Sequence, residues 1–146
     1  GGTTLTAALI IGDRLTITHV GDSRAYLIYP DGRMEAITQD HSLVRRLVEL
    51  GQITEEEAII HPQRNVLYRA LGQAEPFRPD IKSQQITHPI YLLICSDGLW
   101  GVVKDAEIFQ IVRSARNPSV ACKNLVDSAN EAGGPDNISV ILVQYL

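Results

Sequence analysis

At 146 residues the chain has the length of one domain, and a domain of that size buries roughly 70% of the surface its unfolded form exposes. With 45% hydrophobic and 21% charged residues, neither a disordered tail nor a fibrous repeat fits the composition. A formal net charge of -4 offers no basic footprint for nucleic acid or an anionic membrane surface, and apolar runs such as Ile90 to Cys95 fall far short of the roughly 20 residues that span a bilayer.

In chain order, the apolar runs Leu5 to Ile11 and Arg14 to Val20 flank Gly12-Asp13, the mark of a two-residue hairpin turn. Two further runs, Ala25 to Tyr29 and Met34 to Ile37, flank Pro30-Asp31-Gly32, and the four together predict an antiparallel meander. The period then changes. Leu43, Val44, Leu47, Val48 and Leu50 recur at helical spacing before Gly51, and Thr54 with Glu57 forms a capping box for a second short helix that Pro62 ends. From His61 to Pro79 the pattern is mostly irregular, with a short helix expected around Val66 to Leu71.

Ile81 to Ile86 and Ile90 to Ile94 read as strands, the second breaking at Ser96-Asp97-Gly98 so that Asp97 sits at its tip. Helices follow at Glu107 to Val112 and Val120 to Ala129, the latter with Asn117 as cap, Pro118 at its first position and Gly133-Gly134 as its stop. Ile138 to Leu146 closes the chain as a strand. Strands, a helical insertion, then strands and helices again predict a single α+β domain over residues 1–146 with mainly antiparallel sheet. Cys95 and Cys122 match no metal or redox spacing and read as buried free thiols. No signal-peptide pattern opens the chain, and the expected compartment is the cytoplasm.

Three aspartates share one context, each beside a glycine or a turn at the end of an apolar run: Asp22 in Gly21-Asp22-Ser23-Arg24, Asp97 in Ser96-Asp97-Gly98, and Asp136 in Gly134-Pro135-Asp136-Asn137. Singly, such pairs are usually turns whose carboxylates bond their own backbone. Their recurrence points instead to hard divalent cations, which take carboxylate oxygens held on rigid backbone with room for waters.

These residues resemble the protein phosphatase 2C family, most closely its bacterial members. The motifs that carry the likeness are Gly2-Thr3-Thr4, Val20 to Arg24, Gln39-Asp40-His41-Ser42, Cys95 to Trp100 and Gly133 to Val140, in that order, with His61 to Leu67 and Leu71-Gly72 fitting the bacterial branch. The resemblance implies a sandwich of two antiparallel sheets flanked by helices, with two Mn2+ or Mg2+ ions at one edge. It implies Asp97 and Asp136 as ligands of the paired ions, Asp22 with Asp97 at a third, weaker site, and Gly98, Asn137 and Ser139 as supporting residues. The implied reaction is hydrolysis of phosphoserine or phosphothreonine in a phosphoprotein by a metal-bound hydroxide, with no protein nucleophile. The insertion at about 43–65 resembles the flap that borders the active site of this family.

His41 is expected to cap or pack, His19, His61 and His88 to serve structure, and Arg24 to form an ion pair rather than a phosphate clamp. The resemblance further implies, before Gly2-Thr3-Thr4, an arginine, an acidic residue and an Asp-Gly-x-Gly-Gly motif that have no counterpart here. The chain therefore reads as a fragment, incomplete at its amino terminus, inactive or nearly so alone, with open sheet edges that invite dimerisation or domain swapping. Two other readings compete: a phosphatase-like domain that binds or regulates without hydrolysis, and a plain interaction domain whose aspartates are turns.

Overall fold

The computed structural model describes residues 2–69, 72 and 78–146. Among the described residues, seven strands form two antiparallel sheets. The first holds β1 (Leu5–Ile11), β2 (Arg14–Val20) and β5 (Asp80–Gln85) in the order β1-β2-β5. The second holds β3 (Arg24–Ile28), β4 (Met34–Ala36), β6 (Ile90–Cys95) and β7 (Val140–Tyr145) in the order β4-β3-β6-β7. Leu15 and Ile17 of the first sheet meet Ala25, Leu27, Ile90 and Leu92 of the second, and these residues fill the space between them.

Helices cover the other face of the second sheet. α4 (Asp105–Ser114) and α5 (Pro118–Glu131) bury Ile108, Val112, Leu125 and Ala129 against Tyr26, Ile28, Leu93 and Cys95. The alternation along β6 feeds both layers, because successive side chains of a strand point to opposite faces. Asn117 caps α5, its side chain accepting the Val120 N–H at 2.8 Å, with Pro118 at the first turn. α1 (Leu43–Glu49) and α2 (Glu55–Ile60) form the insertion, α1 capped by Ser42 and α2 by the Thr54–Glu57 capping box.

Three expectations need correction. The first four strands are not one meander: β2 and β3 belong to different sheets, and the chain crosses between them at Gly21-Asp22-Ser23. Gly21 permits the crossing with a φ of 112°, and a Cβ there would lie 2.3 Å from the Thr4 side chain. No helix forms over Val66 to Arg69; Leu67 bridges to Ser42 instead, and Leu43 N–H donates to the Val66 carbonyl at 2.8 Å. Ala70 and Leu71 lie outside the described residues. Third, the break after β6 is a short helix, α3 (Asp97–Trp100). Cys95 is buried, whereas Cys122 is only partly so. Among the described residues, no helix is long and apolar enough to cross a membrane.

Candidate metal centre

Strand register explains why the three aspartates lie at one end of the second sheet. Arg24 at the start of β3 pairs with Cys95 at the end of β6, and Cys95 pairs with Val140 at the start of β7. Asp22 just before β3, Asp97 just after β6 and Asp136 just before β7 therefore emerge at the same end of the second sheet. All three line one cleft of about 670 Å3, together with Gly98, Arg24, Asp40 and residues of α1 and α2 such as Val44 and Ile59.

The loops carrying Asp97 and Asp136 are tied through backbone. Ser96 N–H donates to the Ser139 carbonyl at 3.0 Å, and Ser139 N–H donates to Ser96 Oγ at 2.9 Å. Asn137 N–H donates to Asp136 Oδ1 at 2.7 Å. Asn137 and Ser139 thus hold the Asp136 loop through their main chains. Gly98 leaves room for the close approach, since a Cβ there would lie 2.0 Å from the Asn137 carbonyl oxygen.

Burial raises the Asp97 carboxyl above its usual range, and the adjoining Asp136, charged and within hydrogen-bonding reach, raises it further. Asp22 is pushed up to about 6, first by burial and then by the charges of Asp97 and Asp40. Among the described residues none of the three aspartates makes an ion pair with Lys, Arg or His. Arg24, which lines the same cleft, is committed elsewhere. Its Nε and Nη2 grip Asp40 at 3.0 and 2.8 Å, Nη1 donates to Tyr26 Oη at 3.1 Å, and the guanidinium lies 3.6 Å from the Trp100 ring centroid.

Carboxylates that line one cleft and have no cationic partner among the described residues fit a divalent cation, which would remove the repulsion between them. Asp97 and Asp136 would hold it, with Asp22 nearby. The set is sparse: among the described residues, no three His, Cys, Asp or Glu side chains are grouped so that they could hold a metal ion by themselves.

Metal-free protein carries a measurable signature of this strain. Because the folded pKa of Asp22 lies above the ordinary aspartate value of 3.8, folding takes up a proton between that value and about 6, and stability falls as pH rises through this window. Asp22→Asn is expected to raise stability by about 1 kcal/mol at pH 7, solvent screening allowed for, and to change it little below pH 4. Urea unfolding at the two pH values checks this.

The sequence matches Protein phosphatase 2C over residues 1–138. The chain belongs to the protein phosphatase 2C family. It is 42% identical over 143 residues to the serine/threonine phosphatase stp of Listeria innocua, covering 98% of this chain and 56% of that protein. The serine/threonine phosphatase of S. agalactiae superposes with a TM-score of 0.93 at 39% identity, over 99% of this chain and 59% of that one. The catalytic domain of PstP, solved in complex with two manganese ions, superposes with a TM-score of 0.85 at 38% identity, over 97% of this chain and 57% of that one. The chain thus spans a little over half the length of its phosphatase 2C relatives.

Several partnerships at the site were not foreseen from the sequence. Asp40 is buried as the partner of Arg24, and Trp100 Nε1–H donates to the Asp22 carbonyl at 2.9 Å, linking α3 to the turn before β3. His41 is fully engaged within the fold, while Ser42 rather than His41 caps α1. The Gln39-Asp40-His41-Ser42 motif was the available signal, but the partners of its side chains are distant in sequence.

Proposed function

We propose that this chain forms part of a metal-dependent phosphatase acting on phosphoserine and phosphothreonine in proteins. The observation that carries the proposal is that Asp22, Asp97 and Asp136 line one cleft at the end of the second sheet and, among the described residues, make no ion pair with Lys, Arg or His. Two divalent cations, Mn2+ or Mg2+, supply an activated water and neutralise phosphoryl charge when bound. This chain's contribution is to fix carboxylates on strand ends, through Gly98 and the Ser96–Ser139 bonds, and to shape access with α1 and α2, which we read as a flap at about 43–65. Asp22 is assigned to a weaker, third cation beside Asp97.

Further ligands are needed, given the sparse donor set, so activity is assigned to a protein extended to the full length of the relatives. Exposed apolar residues on two edge strands, Leu5, Leu9 and Ile11 on β1 and Ile141 on β7, support pairing with another segment or a second copy in the isolated chain. A cytoplasmic setting accords with the two free cysteines, of which Cys95 is buried with its thiol pushed up to about 12 by burial.

The test is phosphate release from a phosphothreonine peptide by the extended protein across a Mn2+ titration. Release that rises with Mn2+ and vanishes with chelator is expected. Metal-independent release refutes the mechanism, and tight phosphopeptide binding without release favours the non-catalytic reading.

A further inference from the structure

We propose that His41 is a positioning residue for the Asp22 carboxylate, acting through the peptide of Gly21 and itself oriented by Asp80. The inference rests on the reading of Asp22 as a metal ligand. Gly21 is gripped twice by the same residue: its N–H donates to His41 Nδ1 at 2.9 Å, and its carbonyl accepts the His41 N–H at 2.7 Å. Gly21 is buried where the chain leaves β2, so its amide would otherwise lose both water and a ladder partner.

The bonding pattern fixes the imidazole. Nδ1 accepts from a backbone N–H, so the ring proton sits on Nε2, which donates to Asp80 Oδ2 at 2.8 Å. Arg69 Nη1, which also lies 3.3 Å from His41 Nε2, makes its shorter contact to Asp80 Oδ1 at 3.1 Å, donating to that carboxylate and holding it in turn. His41 is 2% exposed, and its ring packs 4.8 Å from that of His19, whose own nitrogens are engaged by Thr6 Oγ1 and the Gln39 carbonyl. Trp100 anchors the other flank of Asp22 through its carbonyl. The main chain on both sides of Asp22 is thereby fixed, while the side chain faces the cleft. A merely packed core histidine would need no such alignment of Asp80, imidazole and Gly21. Outer partners of this kind set ligand direction, and their loss typically costs roughly 10- to 100-fold in metal affinity.

The experiment compares His41→Leu, His41→Asn and Asp80→Ala in the extended protein. Asparagine places an acceptor near the position of Nδ1; leucine does not. Asp80 has a half-exposed side chain, so Asp80→Ala probes the same relay without a core change. Two quantities are read: the Mn2+ concentration giving half-maximal phosphate release, and, in the metal-free state, hydrogen exchange of the Gly21 amide. His41→Leu is expected to raise the first roughly 10- to 100-fold, with turnover retained at saturating Mn2+, and to accelerate the second. Asp80→Ala should move both in the same direction by less, and His41→Asn should restore both toward the parent. Unchanged Mn2+ dependence in His41→Leu, or an asparagine variant as impaired as the leucine one, overturns the proposal. If no variant and no parent releases phosphate, the phosphatase reading fails by itself. Mn2+-induced broadening of the Asp22 amide signal then decides the matter: weakened broadening in His41→Leu upholds the positioning role, and equal broadening overturns it.

Discussion

Gly98→Ala is expected to lower stability by about 3 kcal/mol, which for a domain of this size is a fall of roughly 10 °C in Tm. The added Cβ would lie 2.0 Å from the Asn137 carbonyl oxygen, a backbone atom that cannot rotate away. Either α3 or the loop from Pro135 to Asn137 must move. The movement opens the gap between Asp97 and Asp136, so the same change should also abolish Mn2+ binding in the extended protein. Calorimetry and a Mn2+ titration of one preparation read both effects. Gly12→Ala is the control, because a Cβ there meets nothing within 4 Å and the cost is confined to its φ of 59°. A Gly98→Ala protein as stable as Gly12→Ala would show that the two loops are not held in contact.

Asp97→Asn carries the larger functional effect. Asparagine keeps the shape and removes the charge at the carboxylate shared between the Asp136 contact and the neighbourhood of Asp22. Cation chemistry at a phosphoryl centre is worth several kcal/mol, so the extended protein should lose on the order of 1,000-fold in turnover or more. Its metal-free stability should not fall, since removing one charge from a crowded carboxylate cluster relieves repulsion. Loss of activity together with unchanged or higher Tm separates a ligand from a structural residue.

The strands were legible because their apolar residues recur with the period of a pleated chain, and α5 because Asn117, Pro118 and Gly133-Gly134 mark its ends. α3 was not: four residues, Asp97–Trp100, are too few to display a helical period. The helix expected at Val66 to Leu71 yielded, within its described part, to tertiary bonds, Leu67 bridging to Ser42 and Tyr68 N–H donating to the His41 carbonyl at 3.0 Å. The four-strand meander failed for a similar reason. β3 pairs with β6, far along the chain, and nothing local to Gly21 announces that partner.

The aspartates were recognisable by their turn contexts, and the register of β3, β6 and β7 places them at one end of the sheet. The ion pair expected for Arg24 is present, but its partner Asp40 could not be read from spacing. The Gly21–His41–Asp80 relay was hidden altogether, because it joins three segments through one imidazole and one backbone amide.

The most direct measurement is Mn2+-dependent hydrolysis of a phosphothreonine peptide by three proteins: the 146-residue chain, the extended protein, and the extended protein with Asp97→Asn. Activity in the extended protein alone is the result expected of an Asp97–Asp136 pair that needs further ligands. Turnover by the 146-residue chain itself, or an extended protein indifferent to Asp97→Asn, would contradict it.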